Sequence, residues 1–266
     1  MLGCASLHRL PKGVSMKRLA LLGAVVAAAA FAATPALASH AWGPYHWGRT
    51  SIAPFTIQTG DNVTSPWDGY LRTSASDWSM DTNRNPVNSM VVAGSTDAKR
   101  CPPVAGTVQV CDARYGGGWL GQAQIWASGN HITQGTAKLN DRYYYPGSYY
   151  WTPAWMGMAA CHEVGHTWGL GHQSESGADF HTCLDYANNP DGDNMHPNGH
   201  DYSQLALEYS HADSSSTIKT LATTSGASPV RVTRDDRISS STVTELFADG
   251  SRRITHTHWA IAGAVR

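Results

Sequence analysis

The chain has 266 residues, of which 41% are hydrophobic and 15% charged, and its formal net charge is −1 at pH 7. This length allows one sizeable core, or one core with a small appendage. The charge balance gives no support for nucleic acid or an anionic membrane surface as a partner.

Residues 1–38 have the layout of a secretory signal peptide with a short upstream extension. Lys17 and Arg18 form a positive region, an alanine-rich apolar run follows, and Ala-Leu-Ala at 36–38 is a small-residue cleavage site. A transmembrane anchor is the alternative, but the apolar run is short. We expect a secreted, extracellular protein without a stable membrane anchor, cleaved before Ser39. Removal of this segment would leave a net charge of −5, because it holds four basic residues and no acidic ones.

Strands and one helix are predicted in the first half of the remaining chain. Helical spacing of four apolar residues predicts a helix over 67–79. Alternating or continuous apolar runs predict five strands, at 55–60, 87–94, 106–115, 117–128 and 131–140. The order indicates an α+β fold without internal repeats.

Two helices are predicted further along. The first begins at Pro153 with Thr152 as its N-cap, and it ends before Gly169, which suits a left-handed C-terminal turn. The second is "DYSQLALEY", in which Asp201 is the expected cap and Gln204 completes a capping box. The stretch between them is predicted to be a loop.

The C-terminal part is predicted to hold a linker and a β-hairpin. The segment 212–230 is rich in Ser and Thr, and the runs that flank "ADGS" alternate around an Asp-Gly turn. The expected domains are therefore a main domain at 39–211, the linker at 212–230, and a hairpin module at 231–266. The hairpin could instead pack back on the main domain.

Four cysteines follow the predicted signal peptide, and an even number in an exported chain favours disulfides. We favour Cys101–Cys111 and Cys161–Cys183, because both pairs close short loops. Free buried thiols are the alternative. A cysteine zinc site is disfavoured, because the sequence has no Cys-x-x-Cys pair.

The stretch "CHEVGHTWGLGHQ" at 161–173 holds three histidines and one glutamate. On a helix, His162 and His166 share one face at a spacing of about 5–6 Å, which suits two ligands of one ion. His172 follows the break at Gly169 as a third nitrogen donor. Three imidazoles with one open position form a catalytic zinc site, and Glu163 is placed to accept a proton from the metal's water. A structural metal site and a solvated helix face are the alternatives.

The string His-Glu-x-x-His-x-x-Gly-x-x-His at 162–172 resembles the extended zinc signature of the metzincin metalloendopeptidases, most closely a bacterial, matrixin-like branch. The resemblance implies a twisted mixed sheet with an active-site helix and a C-terminal helix. It also implies hydrolysis of internal peptide bonds, with one zinc ion on His162, His166 and His172 and with Glu163 as general base. The competing hypothesis is a secreted zinc-containing binding protein without turnover, with the hairpin as its working surface.

Metzincins also carry a methionine-bearing turn beneath the metal. The matching stretch is "TCLDYAN", in which Leu184 stands at the methionine position and supplies a similar volume, so we expect tolerance. Met195 is a competing candidate without the following tyrosine. Tyr186 resembles a family tyrosine that ligates zinc or stabilises the transition state, and ordinary packing is its alternative. A Cys161–Cys183 bond would tie the active-site helix to this turn.

The strand "GWLGQAQIW" resembles the family's substrate-pairing strand, in which Trp119, Leu120 and Gly121 would contact the peptide. An ordinary core strand is the alternative. We expect a protein or peptide substrate and a monomeric enzyme.

Other polar groups are predicted to form no catalytic site. His256 and His258 share one face of a strand and are expected to be solvated, since no third donor lies near them in the sequence. His196 and His200 fall in the predicted loop. An acidic stretch at 191–194 hints at Ca²⁺, although no full oxygen-ligand loop follows.

Overall fold

A computed structural model describes residues 39–80, 82–218, 228–237 and 240–261 of the chain. The predicted signal peptide lies outside these ranges, and so does the middle of the predicted linker. Within them, no helix combines the length and hydropathy needed to cross a membrane.

The described residues form an α+β fold, as predicted, built on one large mixed sheet. The helices are α1 Ser65–Trp78, α2 Pro153–His166 and α3 Gly199–Glu208, with a short 3-10 helix at Asp193–Met195. The strands are β1 His46–Trp47, β2 Phe55–Asn62, β3 Val87–Ala93, β4 Thr107–Ala113, β5 Trp119–Ser128, β6 His131–Asn140, β7 Arg231–Asp236, β8 Ser240–Leu246 and β9 Ser251–Trp259.

The strands are ordered β3-β2-β4-β6-β5-β9-β8-β7, and the short β1 pairs with β6. Neighbours from β3 to β6 are parallel, whereas every pair from β6 to β7 is antiparallel. Helices α1 and α2 pack on each other, and Trp78 of α1 donates from Nε1 to the carbonyl of Cys161 at 3.1 Å. The apolar faces of helices and sheet therefore meet around the active-site helix predicted from the sequence.

One helix cap differs from the prediction. Helix α3 begins two residues before Asp201, and Asn198 is its N-cap. The Asn198 side chain accepts from the backbone N–H of Asp201, whose carboxylate accepts in turn from the N–H of Asn198 at 2.8 Å. Asp201 therefore completes the capping box instead of opening it, and the expected box with Gln204 is wrong.

The C-terminal strands continue the main sheet. Strands β8 and β9 form a hairpin around Asp249-Gly250, where Gly250 has a φ of +81°. Strand β9 then pairs antiparallel with β5 along its whole length. The sequence allows either a separate hairpin module or a hairpin packed on the main domain, and the structure shows the second. The boundaries at 211 and 230 themselves stay a prediction.

Candidate metal centre

Helix α2 carries the first two histidines into the interior. The hydroxyl of Thr152 accepts from the N–H of Trp155 at 3.3 Å, and Pro153 occupies the first turn, as the sequence predicts. Each residue from Trp155 to His166 is buried. His162 and His166 are at most 1% exposed, which excludes the alternative of a solvated helix face.

A sharp turn after α2 brings the third histidine back. Gly169 has a φ of +95°, and a Cβ on it would lie 2.1 Å from the carbonyl oxygen of Tyr45. Both the backbone conformation and this close approach require glycine. The chain reverses there, and the His172 side chain returns to the helix with 4% exposure.

The three imidazoles meet through one nitrogen each. The Nε2 atom of His172 lies 3.2 Å from Nε2 of His162 and 3.0 Å from Nε2 of His166. The opposite nitrogens face acceptors: His162 Nδ1 is 2.7 Å from the carbonyl of Cys183, and His166 Nδ1 is 2.8 Å from that of Leu170. Because a carbonyl only accepts, each Nδ1 carries the proton and each Nε2 keeps its lone pair.

The third imidazole follows the same rule. His172 Nδ1 faces the carboxylate of Glu175 at 3.3 Å, so its Nε2 also presents a lone pair. Three lone pairs that point at one another repel unless a cation or proton lies among them. The donor set therefore fits a divalent ion of the zinc type, which prefers neutral imidazole nitrogens fixed by outer hydrogen bonds.

Burial keeps these imidazoles neutral. Desolvation lowers the pKa of His162 to about 4, and it lowers the pKa values of His166 and His172 well below the ordinary range of histidine. Protons therefore do not compete for the Nε2 atoms at neutral pH.

The carboxylate of Glu163 lies buried beside this set. Both of its oxygens lack a hydrogen-bond partner among the described residues, and its side chain rests against Gly121 of β5. Desolvation raises the pKa of Glu163 well above its ordinary range. A divalent cation in contact with the neighbouring imidazoles would act in the opposite direction and favour the ionised base.

We expect Gly121→Ala to lower the peptide hydrolysis that the sequence predicts while the fold is retained. A Cβ at this position would lie 2.2 Å from Oε1 of Glu163, and the flexible carboxylate would have to move. A displacement of about 1 Å costs roughly 10²-fold in kcat/KM. Gly118→Ala is the matched control, since its added methyl meets only the Tyr143 hydroxyl at 3.8 Å. Equal kcat/KM for both variants would show that Gly121 is not needed to make room for the Glu163 carboxylate.

The turn beneath the helix is fixed to the site through Cys183. The structure contains both disulfides favoured from the sequence, Cys101–Cys111 and Cys161–Cys183. Leu184, next to the second bond, is fully buried, and its Cδ2 would lie 3.1 Å from a Cβ on Gly165 of α2. Met195 packs instead near Gly157, at the other end of the helix.

We expect Cys161→Ser to lower the free energy of unfolding by about 3 kcal/mol, the usual value for a loop of this size. The effect should appear under oxidising conditions and vanish when wild type and variant are both reduced. Thermal melts under the two conditions measure it. An equal loss under reducing conditions would mean that packing, not the disulfide, carries the stability.

The prediction for His256 and His258 is wrong. Both were expected on a solvated face, yet they are 2% and 4% exposed because β9 lies against the histidine site. The His256 ring centroid is 4.3 Å from that of His166, and the His258 centroid is 5.1 Å from that of His162. Tyr186 is also at the site, and its hydroxyl lies 2.7 Å from Nε2 of His256.

The remaining predicted residues have separate surroundings. Trp119 stacks on Tyr115 at a centroid distance of 5.1 Å, and Leu120 is fully buried in the core. Both edges of their strand β5 are paired, so a substrate contact there stays a prediction. Asp191 lies within reach of the exposed Asp179 and His181, and calcium at that loop also stays a prediction.

Comparisons with known proteins identify no family for this chain. No protein-family model and no curated protein matches the sequence. A solved structure named "Structure of myroilysin" aligns over 64% of this chain and 98% of its own, with 12% identity and a TM-score of 0.37. At that TM-score the likeness carries no argument, so function has to be inferred from the site's own residues.

Proposed function

We propose that this chain is a secreted zinc-dependent endopeptidase. The observation that carries the proposal is the convergence of three unprotonated Nε2 atoms, on His162, His166 and His172, beside the unpartnered carboxylate of Glu163. When bound there, zinc would supply Lewis acidity to a peptide carbonyl and to a water molecule.

The protein's own residues divide the proton transfers. Glu163 accepts a proton from the attacking water and delivers it to the amine that leaves, as a general base and then a general acid. The Tyr186 hydroxyl is a donor at the same site and would stabilise the negative charge that develops on the carbonyl oxygen. The carbonyls of Cys183 and Leu170 hold the ligand rings in the tautomer that the site requires.

A zinc-containing binding protein without turnover is the second candidate. It is favoured by His256, whose donor nitrogen lies within 4.8 Å of those of the other three histidines. Four protein ligands are typical of closed, structural zinc sites. The buried Glu163 argues for the enzyme, because a carboxyl without a partner is costly to bury and serves no purpose in a closed site.

Metal removal tests the proposal. We expect dialysis against a chelator to abolish cleavage of casein and of a quenched fluorescent peptide, and we expect zinc to restore it while Mg²⁺ does not. A mock-dialysed sample is the control. If the zinc-loaded protein, including the His256→Ala variant, cleaves neither substrate, the endopeptidase proposal fails and the binding protein is favoured.

A further inference from the structure

Strand β9 covers the face on which a peptide would approach Glu163. The Glu163 side chain rests against Gly121, so a peptide bond presented to its carboxylate would run beside β5. On that edge, β9 pairs with β5 from Trp119 to Ser128, and His256 stands opposite Ala123. A strand whose main-chain groups are already paired on both edges accepts no further strand unless a neighbour leaves.

The same strand delivers an imidazole to the metal centre. Alternate residues of a strand point to one side, so His256 and His258 both face α2. His256, His162, His166 and His172 each offer one ring nitrogen, and these four atoms all lie within 4.8 Å of one another. The His256 ring packs against those of His166 and His172, at centroid distances of 4.3 and 4.6 Å.

Two side chains orient the His256 ring. The Tyr186 hydroxyl lies 2.7 Å from Nε2, and the hydroxyl of Thr242 in β8 lies 3.4 Å from Nδ1. With its proton on Nδ1 and directed to Thr242, the ring keeps one lone pair on Nε2, which a metal takes when the Tyr186 hydroxyl directs its proton elsewhere. This arrangement matches that of His162 and His166, whose Nδ1 protons are also held by acceptors.

We propose that β9 closes the site from within the chain. It occupies the β5 edge, and His256 becomes a fourth imidazole ligand at the position that substrate or water needs. This inference rests on the proposed zinc site, and it makes the protein a self-inhibited enzyme that opens when β9 leaves β5. Because the ligand belongs to the same chain, its effective concentration is high without any partner.

X-ray absorption at the zinc edge, on the full-length zinc protein, tests the ligand directly. In the His211→Ala background, which lacks the second histidine cluster described below, we expect four imidazoles with His256 and three in His256→Ala, with zinc affinity lower by about 10–100-fold in the latter. Peptide hydrolysis should rise about tenfold or more, because loss of the His256 ligand frees one metal position and shifts the population toward the state in which β9 has left β5. Thr255→Ala is the matched control, since Thr255 points to the other side of β9, where its hydroxyl bonds Gln124 at 2.9 Å. His256→Gln is the second variant if the alanine variant does not fold.

The outcomes separate this inference from the proposed function. Three imidazoles at this ion with His256 present, or no change on His256→Ala, would overturn the closure by His256 even if the protein hydrolyses peptides. A change from four ligands to three without hydrolysis in any variant would support the closure and refute the endopeptidase.

A second cluster, independent of the first, joins β1, β6 and the segment after α3. The Oδ1 atom of Asp213 lies 3.3 Å from Nε2 of His46, 3.1 Å from Nε2 of His131 and 3.3 Å from Nε2 of His211. The Nε2 atoms of His46 and His211 are 3.2 Å apart. His46 Nδ1 donates to the carbonyl of Pro44 at 3.0 Å, so its Nε2 presents a lone pair to the others.

The donor atoms of His46, His211 and Asp213 lie within 4.8 Å of one another, and His131 contacts the same carboxylate, a set that suits a four-coordinate zinc ion. The second oxygen of Asp213 accepts from the N–H of Arg49 at 2.9 Å, which fixes the carboxylate. The Asp213 side chain is 7% exposed, whereas that of His211 is 51% exposed, so the cluster opens to solvent on one side. We infer that this cluster is a structural zinc site that ties the segment from His211 to the sheet.

Zinc stoichiometry tests this second site. We expect about two zinc ions per wild-type chain and about one in His211→Ala, with peptide hydrolysis unchanged. Asp213→Asn should give the same loss. The exposed His181→Ala, beside Asp179, is the matched control and should keep both ions. One ion in wild type that survives in His211→Ala would overturn the site.

Discussion

We expect Glu163→Gln to lower kcat/KM for peptide hydrolysis by about 10²–10⁴-fold while zinc content is unchanged. General acid-base catalysis contributes an effect of this size, and an amide keeps the shape of the carboxyl but cannot accept the proton. The proposed ligands are the three histidines, and Glu163 is not one of them, so the variant should still bind zinc. Because His256 limits the open site, the comparison is best made in the His256→Ala background as well.

Glu208→Gln is the matched control for this experiment. Glu208 of α3 is a second glutamate whose oxygens are buried without a partner, and desolvation raises the pKa of Glu208 as it does for Glu163. The two substitutions therefore remove equivalent buried carboxyls. Loss of hydrolysis only at position 163 would assign the catalytic role to Glu163. Equal activity in the two variants, or loss of zinc from Glu163→Gln, would refute the assignment.

We expect Gly169→Ala to lower the free energy of unfolding by about 2–5 kcal/mol. Left-handed backbone costs a non-glycine residue about 1–2 kcal/mol, and overpacking adds about 1–3 kcal/mol. The added methyl would meet the backbone oxygen of Tyr45, which cannot rotate away as a side chain could. Chemical denaturation measures the loss, and zinc affinity should fall with it because His172 follows the turn.

Gly147→Ala separates the two costs. Gly147 has a φ of +88°, close to that of Gly169, but a Cβ there would meet no atom within 4 Å. We expect this control to lose only about 1–2 kcal/mol, the backbone part of the cost. If both variants lose the same amount, the contact with Tyr45 does not constrain the turn.

The parts of the site that were predicted depend on short-range chemistry. Thr152, Pro153 and Gly169 mark the ends of helix α2 within a few residues, and His162 and His166 share a face through helical geometry alone. The sequence predicts the capping box of α3 three residues late, because Asn198 and Asp201 are both suitable caps. Tertiary contacts decide between them, since Asp201 also accepts from Thr182 and lies 3.0 Å from His40.

The parts that were missed depend on long-range pairing. The run "THTHW" alternates one polar residue type with another, so its period cannot indicate which face is buried. Only the pairing of β9 with β5, more than a hundred residues earlier, places His256 at the site. Asp213 likewise meets His131 through the sheet, and no spacing in the sequence connects them. The abundance of histidine, 13 in the chain, is the one signal that could have prompted a search for further ligands.

Strand β7 ends the antiparallel side of the sheet, and its composition bears on how the protein behaves in concentrated solution. All six residues from Arg231 to Asp236 are exposed, and four of them carry charges of both signs. A terminal strand with unsatisfied main-chain groups would otherwise recruit the same strand of another molecule into a growing stack. Desolvating those charges opposes such stacking, so this rim of the sheet is protected against aggregation.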